Sequence, residues 1–139
     1  MNVIICIDDN SGLMFNNRRQ SKDRAVLEQV LEAAQNSRLC VNLYTGKLFA
    51  GMISEEAGVQ VIIREQPARW AEEGDYCFVE GEELAPFADK IQQLTIYRWN
   101  RVYPADIYLD LNLEEWTLTE SVDFAGYSHE KITREVYRR

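Results

Sequence analysis

The 139-residue chain has a single histidine, His129, and only 15 Lys and Arg against 23 Asp and Glu. A binuclear metal centre built from several histidines is therefore excluded. Ser/His/Asp or Cys/His catalysis would have to use that one imidazole, and we do not expect it either. The formal charge of −8 also argues against nucleic acid and anionic membranes as partners, because attraction to phosphate needs clustered Lys and Arg. We expect no resident metal.

Cysteine is also scarce. Cys6, Cys40 and Cys77 each lie inside an apolar run, and no CxxC pair is present. An odd number of cysteines without paired spacing is a poor disulfide framework, and zinc sites need more closely grouped ligands. We therefore expect three reduced core thiols and a cytoplasmic protein.

Long hydrophobic runs are absent as well. The apolar run at residues 3–7 ends at two aspartates, which is too short for a signal peptide or a membrane span. At 46% hydrophobic residues, however, the chain is apolar enough to bury a core without staples. We expect one globular domain over residues 1–139.

The apolar patterns predict an α/β protein. The best helix has Ser21 as its expected N-cap and an apolar stripe from Val26 to Ala34. Short helices are expected within residues 45–51, 67–72 and 82–90. Buried strands are predicted at residues 3–7, 39–41, 59–63 and 75–79, followed by strands at 94–102, 116–124 and 132–137. The order predicts a mixed, mainly parallel sheet with flanking helices and a C-terminal antiparallel hairpin, whose last strand is an exposed edge.

Two acidic positions are candidate site residues. Asp8 and Asp9 end the first strand, where ligands commonly bind in open α/β sheets, although an acidic turn is the more ordinary explanation. Asp23 lies in the first turn of the best helix, where a carboxylate is favoured by the helix dipole. It is also a candidate for a buried acid with a raised pKa that binds or protonates a heterocycle. His129 lies in a turn, and we expect it to be solvated.

No glycine-rich phosphate loop is present. Gly46 and Gly81 each follow a predicted strand singly, and Glu80 beside Gly81 opposes a phosphate. Arg18 and Arg19 belong to the one basic cluster, which is expected either to clamp an anion or, more simply, to pair with neighbouring acids.

Several segments resemble dihydrofolate reductase, in the family's order and over nearly the whole chain. They are VIICIDDNSGLM, SKDRAVLEQVL, SRLCVNLYTGKLFAG, VQVIIRE, YCFVEGEELAPF, KIQQLTIYRWNRVYPADIYLDL with the following EEW, and the closing ITREVYRR. The resemblance implies the family's fold and places its catalytic acid at Asp23. It also implies a pocket for a small molecule beside Asp23, walled by Ile5, Ile7, Leu27 and Tyr97.

The positions that would bind the nicotinamide cofactor carry other residues. Residues 17–20 stand at the family's Leu-Pro-Trp. Leu43, Tyr44 and Gly46 stand in its Gly-Arg-x-Thr motif. Val79 and Glu80 stand at its Gly-Gly pair, and Tyr97 stands at its ligand-binding threonine. A side chain where only glycine fits blocks the approach of a pyrophosphate to the backbone, and a lost guanidinium removes a charge-assisted hydrogen bond. Together these changes are expected to weaken dinucleotide binding by ~3 to 6 kcal/mol, so no cofactor is expected.

Three hypotheses remain open at this point. The leading one is a protein of this fold that has lost NADPH binding and hydride transfer and that binds another small molecule near Asp23. The second is a divergent NADPH-dependent pterin reductase, with Asp23 as proton donor and Arg18 and Arg19 holding the cofactor. The third is a non-catalytic scaffold that dimerises through the edge strand at residues 132–137.

Overall fold

The computed structural model describes residues 1–53 and 58–139 and contains one large sheet with helices on both faces. The strands are β1 (Asn2–Ile7), β2 (Gly12–Phe15), β3 (Arg18–Arg19), β4 (Arg38–Val41), β5 (Gln60–Ile63), β6 (Tyr76–Phe78), β7 (Gln93–Arg98), β8 (Ile107–Tyr108), β9 (Thr117–Phe124) and β10 (Ile132–Arg138). The helices are α1 (Arg24–Ala33), α2 (Leu43–Gly46) and α3 (Pro67–Trp70), with turns of 3-10 helix at Lys47–Phe49, Ala85–Lys90 and Leu113–Glu115.

The large sheet has seven strands in the order β5-β4-β6-β1-β7-β10-β9. The first five of these pair in parallel, whereas β10 is antiparallel to both β7 and β9. A smaller sheet of β3, β2 and β8 is formed by the segment that follows β1 and the loop after β7. The mixed, mainly parallel sheet with a C-terminal antiparallel hairpin is therefore confirmed.

Two strands differ from the prediction in their exposure. β10 was expected to be the exposed edge, but it lies between β7 and β9, so that β9 forms the edge. β5 was expected to be buried on both faces, but it forms the opposite edge, and Ile63 is 52% exposed. In both cases the apolar pattern found the strand but not its place in the sheet, which is decided by long-range pairing.

The alternation of side chains along β1 divides the core into two clusters. Val3, Ile5 and Ile7 pack on one face of the sheet with residues of the segment after β6. Ile4 and Cys6 point to the other face, where the apolar stripe of α1 covers them. Since successive residues of a strand point to opposite sides, the face under α1 receives only the second set.

The apolar residues of the chain form these two core clusters. No helix in the described ranges is long and apolar enough to cross a membrane. The three cysteines are free thiols, and Cys40 and Cys77 are fully buried between neighbouring strands, while Cys6 is half-buried.

Candidate functional site

Asp23 is the N-cap of α1, a role that the sequence assigned to Ser21. Its Oδ1 accepts hydrogen bonds from the backbone N–H groups of Ala25 at 2.9 Å and Tyr127 at 3.0 Å. Its Oδ2 accepts from the backbone N–H of Ser128 at 2.9 Å and from the Ser128 hydroxyl at 3.1 Å. One carboxylate therefore fastens the loop between β9 and β10 to the start of α1.

The fifth partner of Asp23 is His129, whose Nδ1 lies 2.9 Å from Oδ2. The expectation of a solvated histidine is wrong, because His129 is 5% exposed. Its ring stacks on Trp99 with 4.6 Å between the ring centroids. The backbone of this loop lies so close to Asp23 at Gly126 that a Cβ there would be 2.4 Å from Asp23 Oδ2. Only glycine therefore allows the loop to approach the carboxylate in this way.

The other nitrogen of His129, Nε2, lies 2.9 Å from the hydroxyl oxygen of Ser21 and 3.3 Å from that of Tyr103. Ser21 comes from the segment before α1, and Tyr103 comes from the loop after β7. The imidazole thus connects three separate parts of the chain, and its two nitrogens face a carboxylate on one side and hydroxyl groups on the other.

The pKa of Asp23 is shifted in the direction opposite to the prediction. Burial by itself raises the pKa, but the hydrogen bonds from His129 and from the N–H groups of Ser128, Tyr127 and Ala25 outweigh it and lower the pKa well below its ordinary value. The carboxylate is therefore ionised at neutral pH. This does not fit a proton donor with a raised pKa.

Beside Asp23 the core is closely filled. The cavity there has a volume of about 20 Å³, which is room for about one water molecule. Its walls are Cys6, Ser21, Lys22, Val26, Leu27, Leu48, Phe78, Glu80 and Trp99. No heterocycle fits in this space unless the aromatic side chains move.

The predicted pocket walls divide between two faces of the sheet. Leu27 lines the space beside Asp23. Ile5 and Ile7 belong to the cluster on the opposite face and do not contact it, which corrects that part of the prediction. Tyr97 is on the correct face but lines a different depression, where its hydroxyl donates to Gln29 Oε1 at 3.1 Å.

A larger cleft opens outside Asp23, between α1 and the 3-10 turn at Lys47–Phe49, and its volume is about 580 Å³. Four cationic side chains line it, from Arg19, Lys22, Arg24 and Lys47. The remaining walls are Asp23, Leu27, Leu48, Ala50, Met52 and Ser128. This cleft is the basic region of an acidic chain.

At the end of β6, Glu80 holds Arg19 in a two-pronged ion pair with N–O distances of 2.7 and 2.9 Å. Glu80 also accepts a hydrogen bond of 2.8 Å from the Thr45 hydroxyl. The guanidinium of Arg19 lies over the ring of Tyr44, 4.1 Å from its centroid. Arg19 is thus committed to internal partners, as expected if the basic cluster pairs with neighbouring acids; Arg18 has an exposed side chain.

Carboxylates also occupy the start of α2. The backbone N–H of Leu43 donates to Glu65 at 3.2 Å, and the Asn42 amide donates to Glu82 at 2.5 Å. Burial raises the pKa of Glu82, and the nearby charge of Glu65 raises it further.

Along the same edge Met14 packs directly on Gly81, where a Cβ would meet its sulfur at 2.1 Å. Val79 is buried in the core. The bare backbone next to the end of β6 is therefore covered by a side chain of β2.

Asp8 has an explanation in local structure. Its carboxylate accepts from the backbone N–H groups of Asn10, Gly12 and Tyr103 and from the Gln20 amide. Burial opposes the shift, but these hydrogen bonds lower the pKa of Asp8. Asp8 therefore holds the turn after β1, and Asp9 is exposed.

Comparison with solved structures decides the fold. The chain is similar to the dihydrofolate reductase from Enterococcus faecalis complexed with NADP(H) and RAB-propyl, with a TM-score of 0.67 over 99% of this chain and 95% of that chain, at 11% sequence identity. The chain has a dihydrofolate reductase-like fold. No protein-family model matches the sequence, and no curated protein matches it.

Within the dihydrofolate reductase-like fold, sequence reasoning found Asp23 and missed its partners. His129 lies 106 residues from Asp23 in the chain. One local signal was available in the sequence: the single histidine directly follows Ser128 in a tight turn, which favours a hydrogen bond between the two side chains. Nothing local pointed to Ser21 as its second contact.

Proposed function

We propose that this protein does not transfer hydride from NADPH and that it binds a small anionic molecule in the cleft outside Asp23. The observation that carries the proposal is a cleft lined by four cations, of which Lys22 and Lys47 have no ion-pair partner among the described residues, in a chain whose formal charge is −8. Like charges repel one another unless an anion neutralises them, so a cluster of this kind in an acidic protein favours a negatively charged ligand.

The cations of the cleft are unequally available. Within residues 1–53 and 58–139, Lys22 and Lys47 form no ion pair. Arg24 pairs with Glu28 at 3.3 Å, and both side chains are exposed, so this interaction is weak. Arg19 is held by Glu80. Lys22 and Lys47 are therefore the residues that we expect to bind the anion.

The size and lining of the cleft suggest the class of ligand. A volume of about 580 Å³ falls in the range of sites for small molecules. Leu27, Leu48 and Met52 offer apolar surface between the cations. A molecule with a small apolar body and a carboxylate, sulfonate or phosphate group fits this combination best.

The edge that would receive a dinucleotide supports the first part of the proposal. The N–H of Leu43 and the guanidinium of Arg19 are the groups that a pyrophosphate would use, and carboxylates already accept from both. A phosphate would have to displace Glu65 and Glu80 and would then lie beside their charges. The residues present therefore do not fit the cofactor, and no hydride step is assigned to this chain.

The test is a fluorescence titration at low salt with two probes, NADPH and the aromatic sulfonate 8-anilinonaphthalene-1-sulfonate. We expect saturable binding of the sulfonate and no change with NADPH. Replacing both Lys22→Gln and Lys47→Gln should weaken sulfonate binding about tenfold, because two attractive charges are removed. Added salt should weaken it in the unmodified protein by screening.

The matched control removes two cations elsewhere. Arg101 and Lys131 are exposed and lie outside the cleft. Arg101→Gln combined with Lys131→Gln changes the net charge equally and should leave sulfonate binding within about twofold. Equal weakening in both double variants, or micromolar binding of NADPH, would contradict the proposal.

A further inference from the structure

The contacts of His129 have the connectivity of a nucleophile, a base and an acid. The Ser21 hydroxyl lies 2.9 Å from His129 Nε2, and Asp23 Oδ2 lies 2.9 Å from Nδ1. In hydrolases of many folds this order of groups allows the imidazole to take the hydroxyl proton while the carboxylate orients the ring. We propose that Ser21, His129 and Asp23 form a catalytic triad that hydrolyses small esters or thioesters.

The surroundings of the imidazole fix the tautomer that this chemistry requires. Asp23 is ionised and accepts from several donors, so Nδ1 carries the proton and donates it to Oδ2. In the neutral ring Nε2 is then the nitrogen without a proton, and it faces the Ser21 hydroxyl. Stacking on Trp99 holds the plane of the ring, and the ring is almost completely buried.

Two other hydroxyl groups contact the imidazole, and neither is placed as the nucleophile. Ser128 lies on the acid side, 3.2 Å from Nδ1 and 3.1 Å from Asp23 Oδ2, so its proton is directed at the carboxylate. Tyr103 approaches Nε2 at 3.3 Å, which is longer than the contact of Ser21. Among residues 1–53 and 58–139, Ser21 is the one aliphatic hydroxyl that contacts Nε2.

Ser21 lies next to the basic cleft without lining it. It is half-buried and lines the small cavity beside Asp23. Lys22, Leu27 and Leu48 line both that cavity and the basic cleft, so the two spaces adjoin. Because this cavity has room for about one water molecule, an acyl group reaches Ser21 only when the side chains that line the cavity move, and its anionic end would then be held in the cleft. The preference for an anionic acyl group rests on the proposed function, whereas the triad does not.

The reaction balances with water as the second substrate. Ser21 Oγ forms a bond to the acyl carbon while its proton moves to His129 Nε2. The bond between the acyl carbon and the alcohol oxygen, or the thiol sulfur, then breaks, and the leaving atom takes the proton from Nε2. Water repeats the sequence at the acyl-enzyme, which releases the carboxylic acid and restores the Ser21 hydroxyl.

The decisive experiment is covalent labelling of the whole chain with a neutral alkyl fluorophosphonate, followed by intact mass and peptide mapping. We expect one adduct, on Ser21, and its loss in Ser21→Ala. Hydrolysis of 4-nitrophenyl acetate should fall at least about a hundredfold in Ser21→Ala. Ser121→Ala removes a hydroxyl from the exposed strand β9 and should match the unmodified protein in both assays. Circular dichroism checks that each variant is folded.

A second ester, 4-nitrophenyl hemisuccinate, separates the triad from the anionic ligand. Faster hydrolysis of this ester than of the acetate, lost in the Lys22→Gln and Lys47→Gln double variant, supports both proposals. Labelling of Ser21 without any such preference supports the triad and contradicts the anionic ligand. Absence of an adduct on Ser21 in the unmodified protein, or ester hydrolysis that survives Ser21→Ala, overturns the triad whatever the sulfonate titration shows.

Discussion

Asp23→Asn is expected to lower the free energy of unfolding at neutral pH by about 2 to 4 kcal/mol. The carboxylate of Asp23 receives hydrogen bonds from five donors: the N–H groups of Ala25, Tyr127 and Ser128, the Ser128 hydroxyl and His129 Nδ1. The asparagine amide has only one oxygen that can accept from these donors. Its NH2 group is itself a donor and would face N–H and O–H groups. Urea unfolding followed by circular dichroism measures the loss.

Asp9→Asn is the matched control, since the Asp9 side chain is exposed at the end of β1. The same change of charge and shape there should alter stability by no more than about 0.5 kcal/mol. A loss in Asp23→Asn as small as in this control would show that the carboxylate does not fasten the loop between β9 and β10 to α1.

The same variant should change the response to acid. Because folding lowers the pKa of Asp23, its ionised form stabilises the folded state at pH values above the ordinary pKa of about 4. That contribution is lost as the pH falls from about 4 toward the lowered value, by up to ~1.4 kcal/mol per pH unit. Asp23→Asn should flatten the decline without abolishing it, because the pKa of Asp8 is lowered too.

The local parts of this fold could be predicted from the sequence. The apolar stripe identified α1, and a continuous apolar run identified β1. The predicted ends of both elements lie within a few residues of the observed ends. Both signals depend on the side-chain period of a single element, so they need no knowledge of its neighbours. The order of the predicted elements implied the mixed sheet and, together with several segments, supported the resemblance to dihydrofolate reductase.

The contacts that build the site could not be predicted in the same way. Arg19 and Glu80 were read as two separate features, a candidate anion clamp and a group that opposes phosphate. They are 61 residues apart in the sequence, and in the folded chain they form an ion pair with each other. His129 and Asp23 are further apart still, at 106 residues. Pairs of this kind depend on how β6 and the hairpin of β9 and β10 pack on the rest of the chain.

The exposure of the outer strands was misjudged for a related reason. β5 and β10 have apolar residues in patterns typical of strands, and the pattern does not say which strands flank them. β10 is an interior strand because β9 pairs with its outer side, and β5 is an edge strand because no described strand pairs beyond it. Strand order is a property of the whole sheet, and a sheet of seven strands allows many orders with the same local patterns.

Trp99→Ala is expected to lower the free energy of unfolding by about 3 to 5 kcal/mol. Trp99 is 3% exposed, stacks on His129 and closes the small cavity beside Asp23. Removing the indole ring leaves an empty space where the core is now filled. Trp99→Phe keeps most of the ring volume and should cost less than half as much. Unfolding in urea compares the two variants.

Added indole gives the sharper measurement, because a ligand that binds only the folded state stabilises it by an amount that grows with the logarithm of its concentration relative to Kd. Indole should raise the melting temperature of Trp99→Ala and leave that of the unmodified protein and of Trp99→Phe unchanged. A stabilisation confined to the alanine variant means that the side chain, and not the fold, closes the space beside Asp23. A loss of stability that indole does not reverse would mean that the core collapses around the missing ring, and that the narrowness of this cavity does not depend on Trp99.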